Sequence, residues 1–407
     1  MMKMKLIQNP LFLAFSFFSL LVSCEEKETT VDEPNEADAV IAEVRSKFAP
    51  DKRVALLDVD AIERGGTFVL KGESNIPQAV EELKNKLNAS KIVFKDSIRL
   101  LPSEDLQGKT LALVKNSVAN LRSNPAHSAE LATQATLGTP LNVLKKEDNW
   151  YLVQSPDKYL AWVDSGGITL MTKEELSIWK AAEKVIFTEP YGQSYSEANK
   201  SSQSVSDLVA GNILELKGAQ NGFFEVLYPD GRTAFVPQEN AKPYKEWLNS
   251  LEQTEQDLVA TSKKLMGAPY LWGGTSPKGV DCSGFTKTVY FLNGTVIPRD
   301  ASQQIHTGKL IDSVKNFTNH RPGDLLFFGR KATDTTSERV IHVGMWIGDN
   351  KFIHSMGDVH ISNFDTTATD FDEYNYNRYL RTKRLLGQEG EEKIIQLAES
   401  DLFTETE

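Results

Sequence analysis

The sequence is poor in cysteine, in positive charge and in long apolar runs. Two cysteines, Cys24 and Cys282, stand among 407 residues, which excludes a disulfide-stapled scaffold. The one strongly apolar stretch, residues 11–22 (LFLAFSFFSLLV), is 12 residues long, too short for a bilayer core of ~30 Å. A multi-span membrane protein is therefore excluded. Lys and Arg number 45 against 56 Asp and Glu, a net charge of −11. No basic stripe offsets that balance, so nucleic acid is not an expected partner. The Gly pairs lie outside any strand–GxxxxGK–helix context and are not phosphate loops. What is present, 40% apolar and 25% charged residues, is ordinary for folded domains, two to four at ~100–200 residues each.

Lys3 and Lys5 precede the apolar stretch, which ends in Leu21-Val22-Ser23-Cys24. This has the layout of a signal peptide and resembles a bacterial lipobox, whose cysteine is lipidated and becomes the new N-terminus. The alternative is an ordinary signal with a chance cysteine. Removal of residues 1–24 takes away two lysines and leaves a charge near −13. Residues 25–37 then form a polar tether. The expectation is an exported lipoprotein, anchored to a membrane through Cys24, in the periplasm or at the cell surface. Cys282 is then the one free thiol, held where thiols oxidise, so a functional reason is worth seeking.

Residues 38–105 read as a small α+β domain. Val40, Val44 and Phe48 lie on one helical stripe, and a second helix covers 76–87 with Pro77 in its first turn. Short strands are expected at 54–59, 67–71 and 92–94, the first two around Gly65-Gly66. An ungapped internal repeat follows. A shift of 73 residues sets Gly138 on Gly211, Trp150-Tyr151 on Phe223-Phe224, Pro156-Asp157 on Pro229-Asp230 and Ala161-Trp162-Val163 on Ala234-Phe235-Val236. Each copy alternates short strands and turns, the pattern of a small β-barrel. We place one at 106–180 and the other at 181–245. Trp179 marks a helical connector. Residues 245–266 have helical spacing and open a block of different character at 246–387. The acidic tail, 388–407, reads as a solvated appendage.

Three residues in that block suit thiol chemistry. Cys282 opens a helix (Phe285, Val289 and Leu292 share one face), where the dipole and free N–H groups favour thiolate. This predicts alkylation of Cys282 well below a free thiol's usual pKa of about 8.5. The competing reading is a buried, inert thiol. His342 lies on a strand whose alternation puts Ile341, Val343, Met345 and Ile347 on the apolar face and His342, Gly344 and Trp346 on the other. It suits a general base; a structural histidine is the alternative. His354 follows the turn at Gly348-Asp349-Asn350. A two-residue hairpin would place it on the wrong face, whereas one extra residue sets it beside Gly344, with His342. A zinc site from these three lacks a fourth ligand and a metal spacing, so no metal or cofactor is expected. His127, His306, His320 and His360 read as surface or capping residues.

The motifs PYLWGG at 269–274, DCSGF at 281–285, PRDASQQ at 298–304, PGDLLFF at 322–328, HVGMWIG at 342–348 and FIHS at 352–355 together resemble the NlpC/P60 family of cysteine peptidases. The resemblance implies an α+β chain: a papain-like catalytic domain preceded by two small SH3-like β-barrels and the N-terminal α+β domain. It makes Cys282 the nucleophile, His342 the base and His354 the orienting member, with the Tyr270 hydroxyl and the Cys282 N–H on the oxyanion. Two SH3-like domains before such a block look like the γ-D-glutamyl-L-diamino acid endopeptidases (dipeptidyl-peptidase VI), which cut murein stem peptides bearing a free N-terminal L-Ala. That likeness implies carboxylates near the amine, Asp281 and Asp300, and a pocket shaped by Trp272 and Ser283. It implies a contribution of the first barrel by Glu130 and Tyr159. Asp281 has a second reading as a helix cap. Position 301 is Ala, where some relatives carry a serine. A monomer acting on murein peptides is expected. The rival readings are a non-catalytic murein-binding lipoprotein and an amidase or acyltransferase of the same fold.

Overall fold

A computed structural model describes residues 35–404. The signal sequence, the lipobox with Cys24 and most of the tether lie outside the described residues.

The N-terminal domain is a three-stranded sheet covered by two helices. Leu57–Arg64 runs antiparallel to Thr67–Ser74, and that strand runs parallel to Phe94–Leu100. Helix Pro77–Ala89 makes the crossover a parallel pair needs. It packs with Glu36–Phe48 through Leu83, Leu87, Ile41 and Val44 onto Leu57, Val59 and Leu70. The hairpin turns at Gly65 and Gly66, both at positive φ (59° and 80°), which only glycine adopts without strain. Two strands begin later than expected, at Leu57 and Phe94. Residues 52–54 form a turn that docks elsewhere.

The repeat is visible strand by strand. Leu111–Val114, Val118–Arg122, Leu131–Thr136, Pro140–Glu147, Trp150–Gln154 and Leu160–Asp164, moved by 73 residues, coincide with Lys184–Phe187, Tyr191–Tyr195, Ser204–Val209, Ile213–Gln220, Phe223–Leu227 and Thr233–Pro237. The two seven-stranded sheets share one strand order. Even the bulges correspond, with an extra residue at Leu144 in one copy and Lys217 in the other.

The last domain is a six-stranded antiparallel sheet with a core on each face. Helix Cys282–Phe291 packs Phe285 and Val289 onto Phe327, Val343 and Met345. Leu326, Phe328, Trp346 and Phe352 form the opposite face. Two expectations are corrected. The helical run at 245–266 is two helices, Tyr244–Asn249 and Glu255–Lys264, because Thr254 starts the second with its own capping box. The acidic tail is no appendage: Ile395–Gln396 pairs with Thr295–Val296, and Leu397 and Phe403 are buried beside Trp179 and Trp247. The burial of those two apolar side chains outweighs the charge around them.

Candidate active site

Cys282 is the first residue of its helix, and Asp281 is the N-cap, accepting from Gly284 N at 2.7 Å. A Cβ on Gly284 would run into the Gly274 carbonyl, so glycine permits the close approach of helix and PYLWGG loop. The thiol lies within hydrogen-bond reach of the Val343 N–H, one residue beyond His342. The helix start and the histidine strand therefore meet at Cys282.

His342 stacks on Phe328 with ring centroids 5.7 Å apart. Ile341 is 46% exposed, not on the apolar face as alternation predicted. The ladder pairs His342 with Phe328 but Val340 with Gly329, so Ile341 is an extra residue and Val340 turns to the core instead. The second hairpin supplies the extra residue that His354 requires. Trp346 pairs with Phe352 and Gly348 with Lys351, leaving Ile347 bulged. His354 then lands beside Gly344, and its Nδ1 is 2.7 Å from His342 Nε2. His354 Nε2 is 3.0 Å from Ser362 Oγ. His360, expected at the surface, has its ring 4.5 Å from that of His354.

Burial dominates the electrostatics. It depresses His342 to about 3, with Arg378 and His360 adding to the effect. It depresses His354 to about 2, helped by His342. It pushes the Cys282 thiol up to about 12, with Asp281 in the same sense, while the Val343 N–H and Arg299 pull the other way. Burial thus opposes the thiolate that the helix start favours, and it disfavours the charged form of both imidazoles. With Nε2 of His342 turned to His354, its Nδ1 has no hydrogen-bond partner among the described residues. The Tyr270 phenol is raised by burial, with Cys282 and Asp281 acting in the same sense.

A cleft of about 610 Å³ runs past Asp281 and Ser283, the neighbours of Cys282. It brings together Trp272, Asp300, Ala301, Glu130 and Tyr159 from two domains. The Trp272 indole donates to Glu130 Oε1 at 2.6 Å, and the Tyr159 hydroxyl to Asp300 Oδ2 at 3.2 Å. Asp281 is occupied by the scaffold. Its Oδ1 takes Gly284 N and its Oδ2 takes Gly273 N, and Arg299 binds both oxygens at 3.1 and 2.5 Å. Neither oxygen is left for a substrate amine. Ser283 Oγ accepts from Arg299 at 3.0 Å.

Sequence reasoning missed Arg299, Arg53 and Ser362. Arg299 could have been found beside Asp300 in the PRDASQQ motif. Arg53 could not, since it meets Asp300 across 247 positions. No group of three or more His, Cys, Asp or Glu among the described residues is arranged to hold a metal ion.

The NlpC/P60 family pattern matches residues 267–381, and the bacterial SH3 domain pattern matches 117–169. The chain is 31% identical over 234 residues to a gamma-D-glutamyl-L-lysine dipeptidyl-peptidase of Bacillus cereus, covering 56% of this chain and 67% of that one. It is 31% identical over 228 residues to the protein of the same name in Bacillus subtilis, covering 55% and 72%. The crystal structure of an NlpC/P60 family protein from Bacillus cereus superposes with a TM-score of 0.58 at 26% identity, covering 68% of this chain and 99% of that one. The chain belongs to the NlpC/P60 family of peptidoglycan hydrolases and carries a bacterial SH3 domain ahead of its NlpC/P60 domain.

Proposed function

We propose that the protein is a cysteine peptidase that cuts the γ-D-Glu–L-diamino acid bond of murein stem peptides with a free N-terminal L-Ala. The observation that carries this is Cys282 at a helix start, adjoining the strand of a buried His342–His354 pair, between two residues, Asp281 and Ser283, that line a cleft shared with the first barrel. The relatives named gamma-D-glutamyl-L-lysine dipeptidyl-peptidase support the choice of bond.

As the sulfur attacks the γ-carbonyl carbon of D-Glu, its proton passes to Nδ1 of His342. The oxyanion is met by the Cys282 N–H, which has no intrahelical acceptor, and by the Tyr270 hydroxyl. Collapse breaks the C–N bond, and His342 returns the proton to the leaving amine. Water, deprotonated by the same nitrogen, then cleaves the thioester and releases L-Ala-D-Glu. Burial disfavours the charged form of both groups, so in this scheme the proton moves during attack and no preformed ion pair is needed. Export and lipidation at Cys24 belong to the same proposal and rest on residues 11–24 of the sequence.

The test is digestion of L-Ala-γ-D-Glu-L-diamino acid peptides with mass-spectrometric detection. The dipeptide L-Ala-D-Glu should appear with the native protein and vanish with Cys282→Ala. Cleavage by Cys282→Ala, or cleavage at another bond, overturns the proposal.

A further inference from the structure

The turn at residues 51–54 of the N-terminal domain forms part of the cleft wall. It is clamped there from both sides. Arg53 donates to Asp300 Oδ2 at 2.7 Å and to Ser302 Oγ at 2.9 Å. Its other nitrogens hold Asp51 at 2.8 Å each, and Gln303 donates to Asp51 at 2.8 Å. Its carbonyl accepts from Leu160 N of the first barrel at 2.7 Å. Lys52 sits between these two fixed residues and lines the cleft. On the histidine strand, Arg339 lines the same cleft three residues before His342.

The charges of the cleft do not all cancel internally. Asp281 is matched by Arg299, and Asp300 by Arg53. Glu130 bonds only to the Trp272 indole. Lys52 and Arg339 make no ion pair and no side-chain hydrogen bond among the described residues. The cleft thus offers one carboxylate without an ion pair, Glu130, and two unpaired cations. A peptide built on a γ-linked glutamate offers the complement. Its N-terminal amine is positive, and γ-linkage leaves the glutamate α-carboxylate free and negative, one residue nearer the scissile bond.

Building on the proposed activity, we infer that Lys52 and Arg339 bind the free α-carboxylate of the γ-linked D-glutamate, so that the N-terminal domain helps select unamidated substrate. Lys52 lies outside the residues that match either family pattern, 117–169 and 267–381, so this selection is a property that the N-terminal domain adds to the catalytic domain. A charged hydrogen-bond partner in such a cleft distinguishes carboxylate from carboxamide by roughly ten- to a hundredfold.

The experiment measures kcat/KM of the full chain on paired peptides that differ only in the glutamate α-group, carboxylate or amide. The native protein should prefer the acid by about ten- to a hundredfold. The ratio should fall toward one in Lys52→Met with Arg339→Met, and shrink as salt is raised. Equal cleavage of both peptides by the native protein, which needs no variant, overturns the inference and leaves the peptidase proposal standing. A ratio unchanged in the double variant also overturns it. Cleavage of neither peptide overturns both.

Discussion

Nε2 of His342 and Nδ1 of His354 lie 2.7 Å apart, with the two rings edge to face at 5.0 Å. One proton sits between them. If His354 Nε2 donates to Ser362 Oγ, its Nδ1 is bare and accepts from His342 Nε2–H. Nδ1 of His342 is then the basic nitrogen. The direction of the whole chain is set by which end donates.

Removal of the base should be costly. His342→Ala is expected to lower kcat by about 10²–10⁴-fold. His354→Ala should lose less. His354→Asn should recover part of that loss, because its amide oxygen still accepts from His342 Nε2. Steady-state kinetics on a defined stem peptide checks the order, and an Asn variant no better than Ala argues against the accepting role.

The buried histidines also tie stability to pH. Both have folded pKa values depressed to about 3 and 2, below the usual 6.5. The unfolded chain takes up protons below pH 6.5 that the fold refuses. Stability is therefore full above pH 6.5 and falls as pH drops toward 3, at about 1.4 kcal/mol per unit for each histidine. Urea titrations at pH 7.5, 6 and 5 should show this slope, and His354→Asn should make it shallower.

Alkylation reports on the thiol. With Cys282 pushed up to about 12 by burial, iodoacetamide should react slowly at pH 7 and faster only in the alkaline range. A labelling curve with its midpoint near neutrality would show a preformed thiolate instead.

The C-terminal segment is expected to behave as core. Phe403 is 2% exposed and packs near Phe291, with ring centroids 6.3 Å apart. Phe403→Ala should destabilise the fold by about 3–5 kcal/mol, measurable by denaturant unfolding. A loss under 1 kcal/mol would return the tail to the status of an appendage.

Local patterns carried far in this chain. Cys282 after an Asp N-cap, the alternation around His342 and the repeat of 73 residues are all encoded within short windows or in one fixed shift. They were legible because helix caps, strand periodicity and turn residues act between near neighbours. The bulge at Ile347 was legible only as a condition for His354 to join His342. The bulge at Ile341 was not, since nothing in VIHVG marks an extra residue until a neighbouring strand fixes the register.

By itself the sequence determined the domain order, the duplicated barrel and the identity of the thiol and its two imidazoles, because each follows from spacing along one chain segment. Tertiary structure alone decided how each of these carboxylates is paired. Asp281 and Asp300 look alike in sequence, yet Arg299 takes up both oxygens of the first, and Arg53, from another domain, pairs with the second. It also decided which way the pKa values of the site are pushed, because burial depends on everything packed around a group and is written in no motif.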